Sequence, residues 1–213
     1  MITPFLPDEL FEINDNLEVT EFGDYIIVDN LYANYDSIKN ILNNASVPIW
    51  KTHEGSKNFN SYYDCRLKIQ NSMYGENYRK QVYVMHKLIH NKYGISVFPI
   101  TTDYEFNYFK HIEKNLDQKY QHHPHTDSPF AAVVFMDSIC SGGIAFYDIS
   151  NLENKEHENL MFDVSGIKKT LVEAKPNRMV IFRGNIYHGG YIEDNSKYID
   201  DWRITQVFFF DEN

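Results

Sequence analysis

The sequence predicts a mainly β, α+β protein: an antiparallel sandwich or jelly roll with helices covering one face. Three observations carry that class. The second half holds five short apolar strands separated by turn signals with no helical period between them. Apolar spacing of three and four is confined to the first half. The chain is also rich in rings, with 16 Tyr, 15 Phe and 2 Trp, and aromatic side chains favour sheet. No repeat, low-complexity tract or Pro/Gly/Ser-rich linker divides the 213 residues. We therefore expect a single domain over 1–213, with a helix-and-strand support region over 1–100 and a strand-built core over 101–213.

In chain order, Asp24 to Val28 reads as a strand. Asn34 stands where an N-cap would precede Tyr35, Ile38, Ile41, Leu42 and Ala45, a helical spacing. Beyond Pro48 and a polar loop, Tyr63, Cys65, Leu67 and Ile69 alternate as on a half-buried strand, with Arg66 and Lys68 outward. Tyr78, Val82, Met85, Leu88 and Ile89 then mark a second helix, which Gly94 is placed to cap. The strands of the second half are Tyr104–Phe109, Phe130–Phe135, Ile144–Tyr147, Met179–Phe182 and Ile204–Phe210, punctuated most clearly by Gly142-Gly143 and Pro176-Asn177. The polar stretches Asn151–Asn159 and Glu193–Asp201 read as surface insertions.

Composition narrows the function. Thirty acidic against 20 basic side chains give a net charge of −10, and only five of the basic residues are Arg, with no basic run. Such a surface repels phosphate backbones, so nucleic acid is a disfavoured partner. The longest apolar run, Phe130 to Met136, is far short of the roughly 20 residues of a membrane-spanning helix. Met1 to Pro7 carry no positive charge and lead into no apolar stretch, so the expected location is cytoplasmic. Cys65 and Cys140 form no CxxC and read as two reduced, buried thiols.

Histidine is where chemistry shows. Four of the nine, His111, His122, His123 and His125, fall just before the strand at Phe130. In His125-Thr126-Asp127 the two ligand-type side chains are two apart, so an extended chain points both to one side, about 6.6 Å apart. His188, followed by Gly189 and Gly190, is the candidate third ligand. Two imidazoles and one carboxylate on one face of an octahedron suit Fe(II) and leave positions open. On residues alone, a polar turn with Asp127 as its cap is the competing reading. Downstream, Arg203 and Thr205 share a strand face and offer a guanidinium fork and a hydroxyl to a carboxylate, unless Arg203 is exposed and pairs with Asp200 or Asp201.

Taken in order, HxD, a Gly-Gly turn into a strand, Pro176-Asn177-Arg178 before an apolar strand, a distal His and R-x-T resemble the Fe(II)- and 2-oxoglutarate-dependent oxygenase superfamily, most closely its prolyl-hydroxylase-like branch. The resemblance spans roughly Tyr104 to Phe210, and Tyr25 to Tyr32 is similar to the strand that opens many such proteins. It implies a double-stranded β-helix (jelly roll, cupin-like) as the core of 101–213. It implies Fe(II) held by His125, Asp127 and His188, which are also the catalytic set, with 2-oxoglutarate as co-substrate and O2 as oxidant. Arg203, helped by Thr205, would hold the distal carboxylate of 2-oxoglutarate, and Tyr108 and Tyr120 fall where relatives place a co-substrate hydroxyl or a substrate-lining ring. Because position 127 is Asp, hydroxylation or oxidative demethylation with release of succinate and CO2 is implied rather than halogenation. The departure is at His122, where relatives often have Tyr three before the metal-binding His.

Two other classes fit parts of the pattern. His123-Pro124-His125 has the spacing of a differently metallated or non-catalytic cupin-like protein, although no Glu follows between Thr126 and Met136. An acidic β-sandwich binding module would use these histidines only for local hydrogen bonds. A zinc hydrolase would want more nitrogen or sulfur ligands. Specificity is expected in the loops Trp50–Asn60, Lys110–Pro124 and Asn151–Asn159, and the acidic charge favours a neutral or cationic small molecule, peptide or protein side chain as substrate. Oligomeric state is not legible.

Overall fold

The computed structural model describes residues 6–45, 62–69, 75–101, 103–111, 124–149 and 169–213. The expected loop Trp50–Asn60, the insertion Asn151–Asn159 and the residues Tyr120, His122 and His123 lie outside the described residues. Among the described residues, two α-helices, α1 (Tyr35–Asn43) and α2 (Glu76–Tyr93), accompany eleven strands. The first-half strands are β1 (Glu18–Glu21), β2 (Tyr25–Asp29), β3 (Tyr62–Ile69) and β4 (Val97–Pro99). The second half holds β5 (Tyr104–His111), β6 (Phe130–Phe135), β7 (Gly143–Tyr147), β8 (Lys169–Glu173), β9 (Met179–Arg183), β10 (His188–Tyr191) and β11 (Arg203–Glu212).

The large sheet runs β1-β2-β9-β6-β11-β5-β3, with β4 paired to the last residues of β11; the small sheet runs β10-β7-β8. All pairings are antiparallel. This is a jelly roll with helices on the outer face of the large sheet, the predicted class. Ile38 and Leu42 of α1 and Tyr78, Met85 and Ile89 of α2 join Tyr104, Phe106, Tyr108, Ile204, Phe208 and Phe210 in one core. Full burial of each such side chain contributes about 1.5–3 kcal/mol. Between the sheets a second cluster forms from Ala131, Phe135, Ile144, Phe146, Val172, Val180 and Phe182. Alternate residues of the same strands thus serve two interiors.

Local details depart from the sequence reading in instructive ways. Asn34 precedes α1 but does not cap it; its Nδ2 donates to the Glu9 carbonyl instead. The amides at the start of α2 are capped from a distance, Asn77 N donating to Asp8 Oδ2 at 2.8 Å and Tyr78 N to Oδ1 at 3.2 Å. Gly75 leaves the room for that carboxylate, since a Cβ there would stand 2.2 Å from Asp8 Oδ1. Gly94 ends α2 as predicted, at φ +72° with its N–H on the His90 carbonyl.

Four strands escaped the sequence pattern. β1 is exposed throughout and has no apolar alternation to betray it. β4 has only three residues and β8 is mostly exposed, while β10, His-Gly-Gly-Tyr, is a strand because β7 supplies its ladder. Glu193–Asp201 is not simply a surface insertion. It contains a 3-10 turn, Asn195–Tyr198, whose Tyr198 is fully buried against Phe109 and Ile192. Arg178 of the Pro-x-Arg segment is structural, gripping Asp29 with Nε on Oδ1 at 2.7 Å and Nη2 on Oδ2 at 2.9 Å. That pairing holds the Asp29 carboxyl below its usual range. The Cys140 thiol is free and donates to the Asp137 carbonyl, and burial pushes its pKa up, as a quiet structural thiol requires. The Cys65 side chain lies outside the described part. Among the described residues no helix is long and apolar enough to cross a membrane.

Candidate metal centre

His125 and His188 are brought together by the backbone. His125 N donates to the His188 carbonyl and His188 N to the His125 carbonyl, each at 3.0 Å, so the two imidazoles form a cross-strand pair with ring centroids 4.6 Å apart. Asp127 is fixed two residues on, where its N–H reaches the Gly184 carbonyl at 2.8 Å in the turn after β9. Only glycine fits there, because a Cβ at Gly184 would lie 1.8 Å from the Ser128 carbonyl oxygen. Asp127 Oδ2 then sits 3.2 Å from His188 Nε2 and 3.8 Å from His125 Nε2. The three ligand atoms lie within 4.8 Å of one another.

The hydrogen bonding of His188 tests the fit of a cation. Its Nδ1 lies 2.7 Å from the Ile186 carbonyl, which can only accept, so Nδ1 carries the proton. In the neutral ring Nε2 is then a lone pair facing a carboxylate oxygen at 3.2 Å. Two acceptors at that distance are reconciled by a positive charge between them. Adjacent ligands of an octahedral ion with bonds of ~2.1 Å are about 3 Å apart, close to the separation seen. The His188 ring is oriented by the Ile186 carbonyl on its Nδ1 and by the edge of Phe182 at 4.5 Å, the kind of support that metal-ligating imidazoles usually have.

The predicted anion clamp faces the same space. Register pairs Thr205 with Phe135 of β6 and Arg203 with Phe109 of β5, which puts both on the face toward the small sheet. Arg203 is only 9% exposed; its Nη2 donates to the Gly143 carbonyl of β7 at 3.2 Å and its guanidinium lies over Phe135. Among the described residues it has no carboxylate partner, neither Asp200 nor Asp201. Along β7, Gly143 is three residues from Phe146, the residue paired with His188. At ~3.3 Å per residue, about 10 Å of strand separates the carbonyl that Arg203 touches from the residue paired with His188.

Tyr108 is not part of this arrangement. It pairs with Ile204, points to the helix side, and donates its hydroxyl to the Leu42 carbonyl at 2.9 Å. The alternation Tyr104, Phe106, Tyr108 against Glu105, Asn107, Phe109 explains the correction: the aromatic set belongs to the outer core and the second set to the inner face. Asn107, opposite Thr205, was missed, as were Gly184, Ile186 and Phe182. Strand parity could have found Asn107; the others depend on contacts between distant segments. Asn107 and Val133, on the inner face of the large sheet, are half-buried.

A model for a family of unknown function, DUF6445, matches residues 167–209, which include His188, Arg203 and Thr205. No curated protein matches the chain. Among solved structures the chain is similar to the non-heme alpha ketoglutarate dependent epimerase SnoN from nogalamycin biosynthesis, at 14% identity and a TM-score of 0.54 over 87% of this chain and 76% of that one. The carbocyclase SnoK from the same biosynthesis is similar at 12% identity and TM-score 0.53, over 88% and 79%. HygX from Streptomyces hygroscopicus, with nickel and 2-oxoglutarate bound, is similar at 9% identity and TM-score 0.51, over 88% and 82%. The chain therefore has the jelly-roll fold found in the 2-oxoglutarate-dependent non-haem enzymes. These likenesses establish architecture; the chemistry is argued from the site.

Proposed function

We propose that this protein is an Fe(II)- and 2-oxoglutarate-dependent oxygenase that hydroxylates or oxidatively demethylates its substrate, releasing succinate and CO2. The observation that carries the reading is the inner face itself, which holds a two-His, one-carboxylate cluster and, further along the same face, a buried guanidinium with no carboxylate partner among the described residues. A buried charge without a counter-ion is costly, so an anionic ligand is what such a site is built to receive.

His125, Asp127 and His188 would hold the iron, and Arg203 with Thr205 would hold the distal carboxylate of 2-oxoglutarate. Bound iron, 2-oxoglutarate and O2 supply the oxidising chemistry. The protein's residues orient and shield. Ile186 keeps the His188 proton on Nδ1 so that Nε2 remains a ligand, and Phe182 and Phe146 wall the imidazole from water. Thr205 and Asn107 border the carboxylate end, while the net charge of −10 supports a neutral or cationic substrate, whether small molecule, peptide or protein side chain.

Turnover of 2-oxoglutarate to succinate in the presence of Fe(II) and O2 tests this. Arg203→Leu is expected to abolish turnover while sparing metal binding, and His188→Ala to lose both. Unchanged turnover in either variant contradicts the assigned roles.

A further inference from the structure

Asp137 follows the end of β6, away from the triad, and is 2% exposed. Among the described residues it has no ion-pair partner. Its carboxylate instead accepts from three donors: Cys140 N on Oδ1 at 2.7 Å, the Tyr198 hydroxyl on Oδ1 at 3.3 Å, and Ile204 N on Oδ2 at 3.4 Å. A carboxylate buried for stability alone is a poor bargain unless its geometry is used for something else.

Each donor lies on a segment that locates the Arg203 guanidinium. Ile204 is the next residue of β11, and its carbonyl also receives Met136 N at 2.9 Å, so both backbone groups of Ile204 are held by the Met136–Asp137 segment. Cys140, at φ +47°, opens the turn that delivers the Gly143 carbonyl to Arg203 Nη2. That turn has one seat, since a Cβ on Gly142 would be 2.1 Å from the Tyr191 carbonyl oxygen and one on Gly143 1.9 Å from that of Val172. Tyr198 completes the brace, its hydroxyl accepting from Ser141 N at 2.9 Å.

We propose that Asp137 is a positioning residue for Arg203: by fixing the strand start and the carbonyl that receives the guanidinium, it sets the affinity for a dicarboxylate co-substrate that it does not touch. This rests on the role given to Arg203 above. A carboxylate is needed because all three partners donate. An amide nitrogen in place of either oxygen would face an N–H.

The test is calorimetric titration of 2-oxoglutarate into the Ni(II)-loaded protein, with Ni(II) affinity measured separately. Asp137→Asn is expected to weaken 2-oxoglutarate about 10-fold or more, with Ni(II) affinity within about twofold. Asp29→Asn, which breaks a pairing elsewhere, lowers stability and leaves 2-oxoglutarate affinity unchanged. Should Asp137→Asn fail to fold, Tyr198→Phe keeps the carboxylate and removes only the hydroxyl that donates to it and accepts from Ser141 N, and is expected to weaken 2-oxoglutarate about threefold. Unchanged 2-oxoglutarate affinity in the folded variant, or an equal loss of Ni(II) affinity, overturns the proposal while leaving the oxygenase reading intact. Wild-type protein that binds Ni(II) but no 2-oxoglutarate overturns both.

Discussion

On β11, Ile204, Gln206, Phe208 and Phe210 look toward the helices, whereas Arg203, Thr205, Val207 and Phe209 look toward the small sheet. The outward set is at most 1% exposed, and its polar member, Gln206, accepts a hydrogen bond from Tyr32 at 2.7 Å. On the inward face Asn107, Val133 and Phe209 are half-buried, and Arg203 is buried with no carboxylate at ion-pair distance among the described residues. One face is packed as a core throughout; the other is packed by an inter-sheet cluster and also carries a buried guanidinium without an ion-pair partner among the described residues. Stability and ligand chemistry are thus carried by alternate residues of the same strands, and each can be disturbed separately.

The largest expected effect is on the packed face. Phe208→Ala should cost about 3–5 kcal/mol in urea unfolding, a large share of a domain's stability. Arg203→Leu inverts the pattern. Affinity for 2-oxoglutarate should fall about 100-fold, near 2.7 kcal/mol, while the ligand-free protein unfolds no earlier than wild type, because an unpaired buried cation has been removed. A lowered midpoint in the ligand-free variant would show that the guanidinium is structural.

Acid tests the join between β2 and the turn before β9. The Asp29 carboxyl is held low by Arg178, so its contribution is present above the ordinary carboxylate range and is lost as pH falls below about 4. Asp29→Asn should remove about 2 kcal/mol at pH 7 and flatten that acid limb of the unfolding midpoint. Smallest is Tyr108→Phe, which deletes one hydrogen bond to Leu42 on the packed face. It should cost about 1 kcal/mol of stability and leave 2-oxoglutarate affinity unchanged. A loss of affinity there would break the separation of the two faces.

Much of this was legible in the sequence where periodicity decides. Five of the seven described second-half strands, both helices and the Gly94 cap follow from local pattern, and the His125/Asp127 pair follows from period two. The alternation that exposes His125 and Asp127 to one face also assigns Tyr108 to the other, and the aromatic identity of Tyr108 concealed it. What could not be read is made by distant segments meeting: Asp8 capping α2, His125 pairing with His188 across two strands, and Asp137 tying a turn, a 3-10 turn and a strand start. Tyr198 looked like surface because its neighbours are charged, while its own side chain fills a pocket against Phe109.

The most direct test of the inner face as an iron and 2-oxoglutarate site is anaerobic titration of Fe(II) and 2-oxoglutarate into the purified protein, followed by the visible metal-to-ligand charge-transfer band of a chelated 2-oxo acid. The account predicts a band that saturates at one equivalent of each, absent in an Asp127→Ala variant that remains folded. A folded wild-type protein with no stoichiometric metal binding, or a band that persists in Asp127→Ala, would contradict it.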